Sequence, residues 1–177
     1  MIVLAVDPQK DKSALATFKI HIDPRPGYEL CRLEMVGPGV ASAYNAMAMV
    51  IIHYDREDIW KLFVEGQFFH RKKNNPSTLI SLVEARRDWE NAAIFLNAGR
   101  EPGEPRSLVT EIVPPSTWQQ TMLGGGSRET LFRRAQMVFR DRFGDGWRRT
   151  NEHMRDAALI GAWACERILW EMRQKGE

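Results

Sequence analysis

Four side chains in this sequence have the types and settings to do chemistry together. Asp7 closes the apolar run "IVLAVD", and Glu65 closes a second, "IWKLFVE". His153 and Asp156 open the segment "TNEHMRDAALIGAWACERILW", spaced so that they share one face of a helix. That face runs on into Ala157, Ile160, Ala164 and Ile168, all core-forming residues. A helix therefore aims a titratable pair along its buried side. In open α/β sheets, sites gather at strand ends. If the strands ending in Asp7 and Glu65 are neighbours, their carboxylates converge, and the helix-borne pair completes the cluster. Three carboxylates and an imidazole in a partly dry place repel one another unless cations neutralise them. Oxygen donors suit hard ions such as Mg²⁺ or Mn²⁺, and imidazole shifts the preference towards Mn²⁺.

Taken singly, each residue has an ordinary explanation. An acid at a strand end is usually a solvated turn residue, and a histidine near a helix start need not bind anything. Asp156 can pair with Arg155 or Arg149, while Asn151 and Glu152 suit an N-cap and a first-turn acid. Only the combined set points to a metal site.

The elements that must hold these residues follow from local pattern. "IVLAVD", "SALATFKI" and "YELCRLEMV", separated by polar turns, read as a meander of three antiparallel strands. Residues 39–54 turn helical, and "IWKLFVEG" is a fourth strand. The clearest helix covers 77–97, with Ser77 as its cap and Leu79, Leu82, Val83, Ala85, Trp89, Ala93 and Leu96 on its apolar face. "SLVTEIV" is a fifth strand, "VPPSTWQQTMLGGGS" a loop, and "RETLFRRAQMVFRDRF" a helix before the last one. The order βββαβαβαα predicts an α/β fold with a five-stranded mixed sheet flanked by helices on both faces, in one domain over residues 1–177.

Composition excludes several classes. With 44% hydrophobic and 27% charged residues the chain is an ordinary globular one. The N-terminal apolar run is too short for a signal peptide or a membrane span, so no membrane partner and an intracellular setting are expected. Cys31 and Cys165, far apart, read as reduced packed thiols. No Gly-Lys-Ser/Thr follows the glycines of "GGGS" at 124–127, which disfavours nucleotide hydrolysis. That stretch admits a phosphate to a helix N-terminus or serves as a flexible turn. Net charge is only +2, but eight arginines face four acids between Gln119 and Arg155, and "HRKK" spans 70–73. Such patches neutralise phosphates or are simply solvated helix faces.

The segment "VEGQFFHRKKNNPSTLISLVEARRDW" resembles the RuvC-type Holliday junction resolvases: a strand ending in Glu, an aromatic just after it, an Asn, then a Ser-led helix. The first-strand Asp, "VPPSTWQQTMLGGGS" and "HMRDAALIGAWA" resemble that family in the same order, so the likeness spans nearly the whole chain. It implies a ribonuclease H-like fold and a homodimer acting on branched DNA, the four-way junction, by paired symmetric nicks. The implied catalytic and metal-binding positions are Asp7, Glu65, His153 and Asp156, holding two Mg²⁺ or Mn²⁺ ions per active site. The commonest family form has Asp at both positions of the last pair; His153 occupies the first here, as in some members.

Phe68 matches the aromatic that wedges into the junction centre, with Phe69 as the neighbour that can take the role instead. Arg71, Lys72 and Lys73 would grip backbone phosphates. Where the family carries phosphate-contacting lysines this chain has Gln119 and Thr130, with Arg128 and Arg133 as nearby cations. The resemblance places the protein in the cytoplasm with the nucleoid, and a phage member acting in a host cytoplasm is compatible with it. Three alternatives stay open: a nuclease of this fold acting on other branched or hybrid nucleic acids, a junction-binding protein without catalysis, and a small-molecule enzyme or interaction module of the same fold, against which the four polar positions weigh.

Overall fold

The run Ile2–Asp7 forms strand β1 and is buried at every position, which is what a central strand covered on both faces requires. Around it the chain orders β2 (Ser13–His21), β3 (Gly27–Val36), α1 (Val40–His53), β4 (Trp60–Glu65), α2 (Pro76–Ala98), β5 (Leu108–Val113), α3 (Pro115–Leu123) and α4 (Glu152–Lys175). The computed structural model describes residues 1–22, 24–54, 60–66, 75–99, 108–123, 129–130, 133 and 150–176. Phe68, Phe69, Arg71, Lys72, Lys73, Arg128 and most of the helix expected over 128–143 lie outside them.

The sheet runs β3-β2-β1-β4-β5. The first three strands form the expected antiparallel meander, while β4 joins β1 and β5 joins β4 in parallel. Period-two alternation divides the strand residues between two cores. Ile2, Leu4, Val6, Leu62 and Val64 pack under α1 and α2 with Met47 and Trp89. Val3, Ala5, Phe18 and Phe63 pack on the opposite face under α4, with Trp118 and Met122 of α3. Helices therefore cover both faces, as the element order predicts.

Two local readings change. The segment expected as a loop after β5 contains helix α3, whose single buried stripe is Trp118 and Met122, four residues apart. Two apolar residues in one short helix make a weak periodic signal, and flanking Pro and Gly mask it. The cap of α2 is Asn75, not Ser77: Pro76 takes the first helical position, and the Asn75 side chain accepts from the Ser77 N–H at 3.1 Å. Ser77 donates its own hydroxyl to the same Asn75 oxygen.

Helix α4 starts where expected. The Asn151 side chain accepts from the Met154 N–H at 2.9 Å, and Gly176 closes the far end in the left-handed conformation. Every residue from Ala157 to Cys165 is buried. Gly161 lets this helix lie close on the sheet, because a β-carbon there would run into the Phe18 ring of β2. Farther along, Arg167 forks onto Glu111 of β5 at 2.6 and 2.5 Å and covers the Phe63 and Trp163 rings, pinning the helix across the parallel strands.

Gly161→Ala should therefore destabilise the fold although it restores helix propensity. Overpacking costs about 1–3 kcal/mol, against roughly 1 kcal/mol regained from the helix backbone. Urea unfolding should show a lower midpoint at an unchanged slope; an unaltered midpoint would mean the helix can shift freely on the sheet.

Candidate active site

Parallel pairing of β1 with β4 decides the geometry. Val6 is in register with Val64, so the next residues, Asp7 and Glu65, leave the same edge of the sheet side by side. Each continues the alternation of Ala5 and Phe63 and so points to the α4 face. Both are buried, Asp7 at 1% and Glu65 at 8% exposure. The first turn of α4 arrives over them, and His153 Nδ1 lies 2.8 Å from Asp7 Oδ2.

Neutral donors fill in the rest. Gln9, in the turn after β1, donates its side-chain amide to Asp7 Oδ1 at 3.0 Å. Trp118, wholly buried on α3, donates its indole N–H to Glu65 Oε1 at 2.9 Å. Neither residue stands out as functional in the sequence. Gln9 lies in a polar turn of no particular pattern, and the Trp118 contact spans β4 to α3, beyond the reach of local spacing. The only local hint was the Trp118–Met122 pair.

The electrostatics match the crowding. Burial first, then the neighbouring charge of Asp7 and that of Asp156, together raise the Glu65 carboxyl to about 8, against the opposing Trp118 hydrogen bond. His153 is raised as well, chiefly by its hydrogen bond to Asp7 and against its own burial, with the charges of Glu152 and Asp156 contributing. Asp156 thus lies within electrostatic reach of both Glu65 and His153. Arg155 donates back to Thr150, to the hydroxyl at 3.2 Å and the carbonyl at 2.7 Å, and it too feels the charge of Asp156.

The four residues singled out in the sequence are therefore gathered at one corner. Among the described residues, however, no three His, Cys, Asp or Glu side chains stand together as a ready metal cage. Asp7 has committed both oxygens, one to His153 and one to Gln9, and the carboxyl of Glu65 favours its neutral form. The donors themselves, three carboxylates and an imidazole around a buried repulsion, are of the kind a divalent cation would relieve. Of the other expected contacts, Gln119 is partly buried on α3, Thr130 is exposed, and Arg133 is exposed and paired with Glu129 at 2.7 Å.

A meander of three antiparallel strands, extended by parallel strands and carrying acids on the ends of β1 and β4, defines a ribonuclease H-like α/β fold. Solved structures similar to this chain include Holliday junction resolvases. The Thermus thermophilus RuvC structure matches with a TM-score of 0.63 at 17% identity, covering 96% of this chain and 97% of that one. T. thermophilus RuvC in complex with a Holliday junction substrate matches at 0.64 and 18%, covering 96% of both chains. The yeast mitochondrial Holliday junction resolvase matches at 0.53 and 12%, over 97% of this chain and 83% of that one. No family model matches the sequence, and no curated protein matches it by sequence. The likeness is one of fold.

The raised carboxyl gives a pH signature in the metal-free protein. An unfolded Glu65 releases its proton near 4.5, whereas the folded one keeps it to about 8. Between those limits the native state binds more protons than the unfolded state, so stability falls as pH rises. The raised His153 acts in the same direction, its contribution being lost as pH passes above its folded value. With chelator present, the melting temperature of the wild type should drop between pH 5 and 8.5. Glu65→Gln should be the more stable protein at pH 8.5, by on the order of 1 kcal/mol or more, with a shallower pH slope; parallel curves would refute the buried-carboxyl account.

Proposed function

We propose that this chain is a metal-dependent endodeoxyribonuclease that resolves four-way DNA junctions by paired, symmetric nicks. The observation that carries the reading is the buried, adjacent pair Asp7 and Glu65, capped by His153, on a fold otherwise seen in junction resolvases. A structural ion pair would not need two like charges side by side out of water, because burying them without a counter-ion costs more than it returns.

Asp7, Glu65, His153 and Asp156 would hold two divalent cations, Mg²⁺ or Mn²⁺. When bound, these supply Lewis acidity towards water and the phosphate, and neutralise charge in an in-line displacement. The protein's share is positional. Asp7 and Glu65 present oxygens from rigid strand ends, which fixes their spacing better than a loop can. For His153 to serve as a ligand it must be neutral, with a ring nitrogen free of its proton, and Glu65 must lose its own proton. Cation affinity should then rise with pH up to about 8. Water attacks phosphorus as the bond to the 3′ oxygen breaks, leaving a 5′-phosphate and a 3′-hydroxyl.

A homodimer with a two-fold axis would repeat this site on two strands of the junction, since isologous pairing duplicates every patch. Phe68 or Phe69 would enter the junction centre. Arg71, Lys72, Lys73, Arg128 and Arg133 would contact phosphates, taking over from the family lysines replaced by Gln119 and Thr130.

The deciding experiment is cleavage of a synthetic four-way junction and a matched linear duplex, with Mg²⁺ or Mn²⁺. Wild type should nick only the junction, at symmetric positions. Asp7→Asn should still bind it but cut at least about 100-fold more slowly, since even residues that merely support metal ligands are worth 10–100-fold. Tight binding without cleavage under either metal would favour a junction-binding protein. Absence of binding would overturn the functional reading and leave the fold intact.

A further inference from the structure

We propose that Trp118 is a positioning residue of this site, holding one oxygen of Glu65 so that the other is left for a cation. The inference rests on the nuclease reading above. A buried indole generally finds an acceptor for its N–H, and a backbone carbonyl would serve that need. Here the acceptor, at 2.9 Å, is instead a carboxylate of the candidate site, 53 residues away in sequence.

The chemistry of the donor suits that task. An arginine or lysine at this place would also fix Glu65, but its charge would neutralise the carboxylate and compete with an incoming cation. Indole is a neutral donor with no acceptor capacity, so it orients the carboxyl without supplying a counter-charge of its own. It makes one hydrogen bond, to Oε1, and so leaves Oε2 unclaimed by the ring. Trp118 is also immobile: it is wholly buried in the same core as Phe63, Val113, Met122 and Ala157. A large packed ring has one rotamer available to it, so the N–H is held where the strand end presents Glu65. Gln9 plays the matching part at Asp7, where its amide takes Oδ1 at 3.0 Å. Both acids are thus gripped by uncharged donors from outside the cluster.

Trp118→Phe removes the donor but also shrinks the side chain. A cleaner variant replaces residue 118 by 3-benzothienylalanine through codon suppression, which keeps the bicyclic shape and substitutes sulfur for N–H. Two quantities should be read on wild type and both variants: calorimetric Mn²⁺ affinity without DNA, and kcat and KM for junction cleavage. The benzothienyl protein should melt near wild type, bind Mn²⁺ 10–100-fold more weakly and lose kcat by a similar factor. Its KM for the junction should stay within about twofold, because no DNA contact is altered. Mn²⁺ affinity and kcat both at wild-type level in that protein would overturn the proposal and reduce Trp118 to core packing. Wild type that neither binds Mn²⁺ nor cuts junctions would instead remove the nuclease reading, and this inference with it.

Discussion

Everything at the candidate site follows from the parallel pairing of β1 with β4. That ladder sets Val6 against Val64, and one residue later it leaves two carboxylates adjacent, facing one way and almost out of water. An antiparallel pairing would have put one acid at each end of the sheet. Having been forced together, the acids need answers: a proton held on Glu65 to high pH, an imidazole on Asp7, and amide and indole donors on the outer oxygens. Each answer comes from a different element, so the corner joins β1, β4, α3 and α4 through polar contacts as well as apolar ones.

Helix α4 serves two ends with one pattern. Its middle is buried residue after residue, with a glycine where the sheet comes closest, and this fixes its height and rotation over β1 and β2. Fixing the rotation is what aims the first turn, because a helix cannot move one face without moving the others. The Asn151 cap and the Arg167–Glu111 fork hold the two ends of the same rod. His153 therefore reaches Asp7 by virtue of packing several turns away, and a core substitution such as one at Gly161 would be felt at the site.

Much of this was legible in the sequence, and the reason is physical. Buried strands ending on an acid, and an apolar helix beginning with a titratable pair, are local patterns, so β1, β4, α4 and their four polar residues could be picked out directly. The meander and the mixed sheet covered on both faces were legible from element order, whereas the adjacency of β1 and β4 entered only as a condition, because no local pattern fixes which strands pair. What escaped were features whose meaning lies in tertiary contact. Helix α3 shows only Trp118 and Met122 to a periodic reading, and the value of Trp118 appears only when β4 lies beneath it. The cap of α2 lies two residues before the expected Ser77, at Asn75, because Pro76, lacking an N–H, takes the first helical position and moves the capping residue to its N-terminal side.

The corner is an example of local conflict held in place by global packing. Left to itself, a solvated Glu at the end of a strand would ionise at its ordinary pH and turn outward. Here the strand is locked between two cores, the ring of Trp118 fixes one carboxylate oxygen, and the conflict is absorbed by retaining a proton. Such an arrangement lowers stability as pH rises towards 8, and it persists because the cores on either side of the sheet over-determine the strand ends. The consequence is that folding itself brings the carboxyls together, on elements whose positions the two cores fix. On the proposed reading, a cation would have to displace the proton of Glu65, so the work of assembly falls on folding and the work of binding on exchanging small partners.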